Sequence, residues 1–121
     1  MGNKPSSRQQ ARLEYLRTIP AKLERVRRII EAMAILQADE ASVRSLGRTL
    51  DEIKANCQMQ GMHALAEVAG NMAMLSRRGG GQQVKVRGLR ELLGSFMVNF
   101  EGAQRAALVP EDDQGEEKPG T

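Results

Sequence analysis

The residues able to do chemistry crowd into one short stretch, Leu50-Asp51-Glu52-Ile53-Lys54-Ala55-Asn56-Cys57-Gln58-Met59-Gln60-Gly61. Cys57 and His63 are the sole cysteine and the sole histidine. A thiol and an imidazole can form a nucleophile and its base. Cys57, however, continues an apolar series through Leu50 and Ile53, where a cysteine behaves as a small hydrophobe. One histidine and one cysteine do not make a zinc set. Glu52 and Asn56 stand four apart and share a helix face, so an acid and an amide there could position a water for hydrolysis. Asp51, Lys54, Ala55 and Gln58 fall at i, i+3, i+4 and i+7 and stack along one stripe. That stripe is polar, with only a methyl at Ala55, so another protein can come close to it.

The elements that must hold this stripe are helices. Hydrophobic residues make up 40% and aromatics 2% with no Trp, so the core is built from Leu, Ile, Val, Met and Ala rather than from the β-branched and aromatic residues of sheets. A chain of 121 residues supports one domain. Residues 1–10 read as a polar arm. A first helical pattern begins near Ala11, and Pro20 interrupts it, placed for the first turn of a new helix. Leu23, Val26, Ile30 and Met33 then keep helical spacing. Asp39 is the expected N-cap, with Ser42 a later alternative, of a helix running to Gln60, and Gly61 its left-handed stop. A third helix starts near Met62 with Leu65, Val68, Ala69, Met72 and Leu75 as its apolar stripe. Ser76-Arg77-Arg78-Gly79-Gly80-Gly81 reads as a loop. The last helix, about 82–108, buries Leu89, Leu92, Leu93, Phe96, Phe100, Ala103 and Ala107. Gly88, Gly94 and Gly102 weaken it. Residues 109–121 form an acidic tail expected to be disordered. The expected architecture is an all-α, antiparallel four-helix bundle over residues 11–108.

Charge is uneven. The net charge is +3, but the segment from Glu111 holds five acids and one lysine, leaving 17 basic against 10 acidic residues before it. A basic body raises the question of nucleic acid. With almost no aromatics to stack on bases and no recognition motif, none is expected as a partner. No run reaches the length of a membrane span. The lone cysteine suits a reducing compartment, so a cytoplasmic location is expected. Gly79-Gly80-Gly81 lacks the lysine and hydroxyl of a phosphate loop. No cofactor and no metal are expected.

The central stretch resembles the histidine-phosphotransfer (HPt) domain family. That family's motif is a histidine with a hydrophobic residue two on, lysine three on, glycine four on, small residues, glycine ten on and leucine fourteen on. Here Ile53, Lys54, Gly61 and Leu65 stand at the matching offsets, and Leu16 to Ile30 around Pro20 looks like the family's first long helix. The similarity spans roughly residues 13–108. The histidine position holds Asp51, and the glycine four on is Ala55. A carboxylate with a reference pKa near 3.9 is an anion that repels an incoming phosphoryl group, so phosphotransfer does not carry over. The resemblance implies a non-catalytic HPt-like module in two-component signalling. Its implied docking face is Arg48, Asp51, Lys54, Ala55 and Gln58, with Met62 at the rim. Its implied partner is a receiver domain of a response regulator or hybrid kinase. The alternatives are a phosphatase of phosphorylated receivers using Glu52 and Asn56, and a structural helical adaptor in which Asp51 and Lys54 are an ordinary surface pair.

Overall fold

The computed structural model describes residues 6–109. These form four helices: α1 Ser7–Ala34, α2 Glu40–Met59, α3 His63–Arg77 and α4 Gln82–Ala107. There is no strand among the described residues. The acidic tail from residue 110 on, and the first five residues of the expected arm, lie outside the described residues.

Two helix starts follow from capping. The Ser6 hydroxyl accepts from the Gln9 N–H at 3.0 Å, which satisfies one of the orphan donors of the first turn. Asp39 does the same for Ser42 at 2.8 Å, as its position predicts. That contact also holds the Asp39 carboxyl below its ordinary range, because a backbone N–H favours the charged form. The Ser6 cap moves the start of α1 to residue 7, ahead of the expected Ala11, so residues 7–10 belong to the helix and not to an arm.

Pro20 does not divide α1. The helix passes through it for 28 residues. Pro20 removes one hydrogen bond, yet it lies on the exposed side, while Leu16, Ile19, Leu23 and Val26 around it are buried. Packing of that apolar face outweighs the local preference.

The helices form a ring in which α1 packs on α2 and α4, and α3 packs on α2 and α4, with the α2–α3 contact the most extensive. In the contacts of α1 with α2 and with α4, residue numbers rise along one helix as they fall along the other. Arg12 meets Gln60, and Lys22 meets Glu52. Arg90 binds Glu31 across α4 and α1. The core has two halves. One joins Leu16, Ile19, Leu23, Ile53, Cys57, Leu65, Phe96 and Phe100. The other joins Val26, Ile30, Met33, Leu46, Leu50, Met72, Val86 and Leu89. Val68 and Leu93 touch both.

Two turns share one geometry. After α1, Gln37 N–H donates to Ala32 O (2.7 Å) and Leu36 N–H to Met33 O (3.0 Å). After α2, Met62 N–H donates to Cys57 O (2.8 Å) and Gly61 N–H to Gln58 O (3.1 Å). Both are Schellman closures, which put one residue in the left-handed region. Gly61 takes that place as expected, at φ 78°; in the first turn Leu36 takes it, at φ 59°. Gly88 has a packing reason to be glycine, because a Cβ there would stand 2.6 Å from Leu75 Cδ2. Gly94 and Gly102 meet nothing within 4 Å.

Candidate docking site

Arg48, Asp51, Lys54, Ala55 and Gln58 are all exposed along α2, as the stripe predicts. Met62 is not at their rim. It is 9% exposed and packs with the core half around Cys57 and Leu65. The left-handed turn at Gly61 reverses the chain and directs Met62 inward as the N-cap residue of α3. Met59, three residues earlier at the end of α2, is 79% exposed.

The stripe is built against α3. The Asp51 carboxylate receives two bonds from the Arg77 guanidinium, Nη2 to Oδ2 at 2.5 Å and Nη1 to Oδ1 at 3.3 Å. Such a forked pair fixes orientation as well as charge. The contact raises the Arg77 pKa through the hydrogen bond to Asp51. Both side chains stay about half exposed, 52% and 51%. Solvent screening keeps a pair of that kind at about 0–1 kcal/mol, so its use is placement rather than stability. Arg77 reaches Asp51 by crossing Gly47, where a Cβ would lie 3.1 Å from Nη2. In the same way the Lys54 stem crosses Gly70 of α3, whose Cβ position is 3.2 Å from Lys54 Cδ. Two glycines on facing helices, Gly47 of α2 and Gly70 of α3, therefore seat Arg77 and Lys54. Beyond Lys54 a groove of about 440 Å³ opens between the helices, with Gln58, Glu67, Asn71 and the exposed Met74 along it.

Neighbouring acids on α2 diverge. Asp51 faces α3. Glu52 faces α1, where Lys22 Nζ lies 3.5 Å away and also stands 5.7 Å over the Tyr15 ring. The Asn56 amide donates to Glu52 O of its own helix at 2.9 Å. Cys57 is fully buried, and burial pushes its thiol up to about 11, which suits a core residue and not a nucleophile. His63 is exposed at the start of α3. No group of three or more His, Cys, Asp or Glu able to hold a metal occurs among the described residues.

Sequence reasoning missed Arg77, Gly47 and Gly70. Arg77 was assigned to a loop, whereas Ser76 and Arg77 close α3, with Ser76 buried and its hydroxyl donating to Ala73 O. The separation of 26 positions between Asp51 and Arg77 leaves no periodic signal to connect them. No described helix is long and apolar enough to cross a membrane. Compared with protein-family models, with curated proteins and with solved structures, the chain matches none.

Proposed function

We propose that the chain is an HPt-like docking module, an antiparallel bundle that binds a receiver domain of two-component signalling and transfers no phosphoryl group. One observation carries the reading. At the position the HPt pattern gives to histidine, a carboxylate stands half exposed in mid-α2, oriented by Arg77, with Lys54 one turn on. The rising-and-falling contacts between neighbouring helices support the antiparallel arrangement. The stripe of Arg48, Asp51, Lys54, Ala55 and Gln58 supplies an approach surface with little side-chain bulk at its centre. The Met59 and Met74 side chains flank it and adapt to a partner's shape. In this reading Asp51 offers a fixed negative charge where a working module would carry phosphohistidine. Cytoplasmic location and the absence of catalysis belong to the same proposal.

The test is calorimetric titration of the chain against receiver domains of its own genome. Micromolar or tighter binding is expected for at least one, and Asp51→Arg should weaken it by about tenfold, about 1.4 kcal/mol. Binding by no receiver overturns the proposal. Phosphorylated receivers in the same assay address hydrolysis. Glu52 is engaged by Lys22 and the Asn56 amide by its own helix, so phosphate loss should be unchanged by the chain and by Asn56→Ala.

A further inference from the structure

The turn between α1 and α2 puts two large apolar side chains into solvent: Ile35 is 63% exposed and Leu36 72%. Leu36 does so from the left-handed region, at φ 59°, which strains any residue with a Cβ and leaves glycine free. The turn after α2 closes with the same hydrogen bonds and places Gly61 there. Folding alone therefore favours glycine at position 36, with less strain and less apolar surface in water. Val84, 74% exposed in the first turn of α4, lies at the same end, where Gln83 Nε2 donates to Ala34 O at 3.5 Å. Aliphatic side chains from two elements thus mark one tip of the bundle.

Cations surround that tip. A groove of about 660 Å³ along α1 and α2 is lined by Arg25 and Arg28. A second, of about 600 Å³ between α2, α3 and α4, is lined by Arg44, Arg48, Arg77 and Lys85. The two share Ala38 and Asp39, just past Leu36. Arg78 is exposed where α3 ends. The acids in these linings are Asp39, which caps α2, and Glu40, which lies 3.7 Å from Arg44. Arg48, Arg78 and Lys85 have no ion pair among the described residues.

The pattern is an aliphatic point within a collar of positive charge to which all four helices contribute. Its complement is a flat surface, anionic above and apolar beneath. A bilayer with anionic headgroups is layered in that way: aliphatic side chains enter the acyl boundary while Lys and Arg stay among the phosphates. We infer that the α1–α2 turn docks the chain on an anionic lipid surface, with Ile35 and Leu36 inserted and Arg78 and Lys85 at headgroup depth. The contact is peripheral, because a pair of aliphatic side chains and a few cations give reversible, salt-dependent binding. None of these residues belongs to the receiver-docking stripe, so the inference is independent of the proposed function.

Sedimentation of the full chain with vesicles reads it out. At about 50 mM salt the chain should pellet with phosphatidylcholine vesicles that contain about one third phosphatidylglycerol. Omitting the anionic lipid, or raising salt to about 0.5 M, should weaken partitioning at least about tenfold. Ile35→Ser with Leu36→Gly should weaken it about fivefold or more, in a chain that stays folded because glycine suits position 36. Arg78→Glu with Lys85→Glu should weaken it at least about tenfold. The chain has no tryptophan, so Ile35→Trp supplies a single fluorophore. Its emission should shift to the blue on the anionic vesicles, and that of Val109→Trp at the opposite end should not. No pelleting with anionic vesicles overturns the inference. So does binding that Ile35→Ser with Leu36→Gly leaves unchanged, which is charge attraction without insertion, or an unshifted Ile35→Trp. Self-association without vesicles that the same double variant abolishes assigns the tip to a second copy and overturns it as well. Receiver titration of that double variant should match the parent chain, which keeps a failure here separate from a failure of receiver docking.

Discussion

The two ends of the bundle are finished differently. At the end holding Gln9 and Gly61, side chains close the backbone. Gln9 Nε2 donates to Ala107 O and Val109 O, both at 2.6 Å, and Arg12 Nε donates to Gln60 O at 3.1 Å. These bonds satisfy carbonyls that a helix end leaves orphaned. Gly61 turns without strain and Met62 plugs the core. At the end holding Leu36 and Gly81, Ile35 and Leu36 are exposed, α4 starts without a side-chain cap, and Gly79, Gly80 and Gly81 meet nothing. Among the described residues, the side-chain tie there from α4 to the α1 backbone is Gln83 Nε2 to Ala34 O, at 3.5 Å. One end spends its polar groups on holding the chain; the other leaves its cations facing a groove. Local stability is thus unevenly divided between opposite ends of the same helices.

That contrast is broken most directly at Met62. Met62→Ala should cost about 2–4 kcal/mol, the usual penalty for emptying a buried methionine site. Ile35→Ala at the open end should change stability by no more than about 0.5 kcal/mol. Urea midpoints measure both, and equal losses would abolish the contrast. Next is the clasp: Gln9→Ala strips two carbonyls of their donor and should lower stability by about 1–3 kcal/mol. Loss of protection at the α4 C-terminus in hydrogen exchange would accompany it.

The paired turns give a smaller and opposite-signed test. Leu36→Gly removes a left-handed penalty and should stabilise by about 1 kcal/mol. Gly61→Leu should destabilise by about 1–2 kcal/mol. A shared sign for the two would mean that backbone geometry does not control these turns.

The weakest effect is alkaline. Cys57 sits in the core half of the clasped end, and burial raises its thiol from 9.0 to about 11. The folded state keeps a proton that the unfolded chain releases above about pH 9. That stability is whole below pH 9 and is lost as pH rises through about 11. Tyr15, also raised by burial, acts in the same direction. Thermal melts from about pH 8 to about pH 11 should show a decline that Cys57→Val reduces, with the unfolded-state thiol reference near 8.5. A decline of unchanged size in Cys57→Val would place its cause elsewhere.

Where a signal is local, it could be read along the chain. Asp39, Gly61 and the apolar series of Leu50, Ile53 and Cys57 act on residues three to six away, and their outcome is as expected. The exposure of the α2 stripe follows from that series. Pro20 was misleading because a local preference met a face packed on two other helices. Met62 was misleading because spacing places a side chain on a helix, whereas a reversed turn decides which way it goes. Arg77, Gly47 and Gly70 act across helices, and the crossing that joins them has no counterpart in linear spacing. Gly88 belongs with them: Leu75, thirteen residues back, is what its Cβ would meet.

The two hydrogen bonds that Gln9 donates also bring residue 6 and residue 109 into one neighbourhood. A short linker could splice these points, and new termini could be opened at Gly80, where φ is 113° and no neighbour would be disturbed. The connectivity is then close to a closed cycle, in which the place where the polypeptide starts matters little to how its helices assemble.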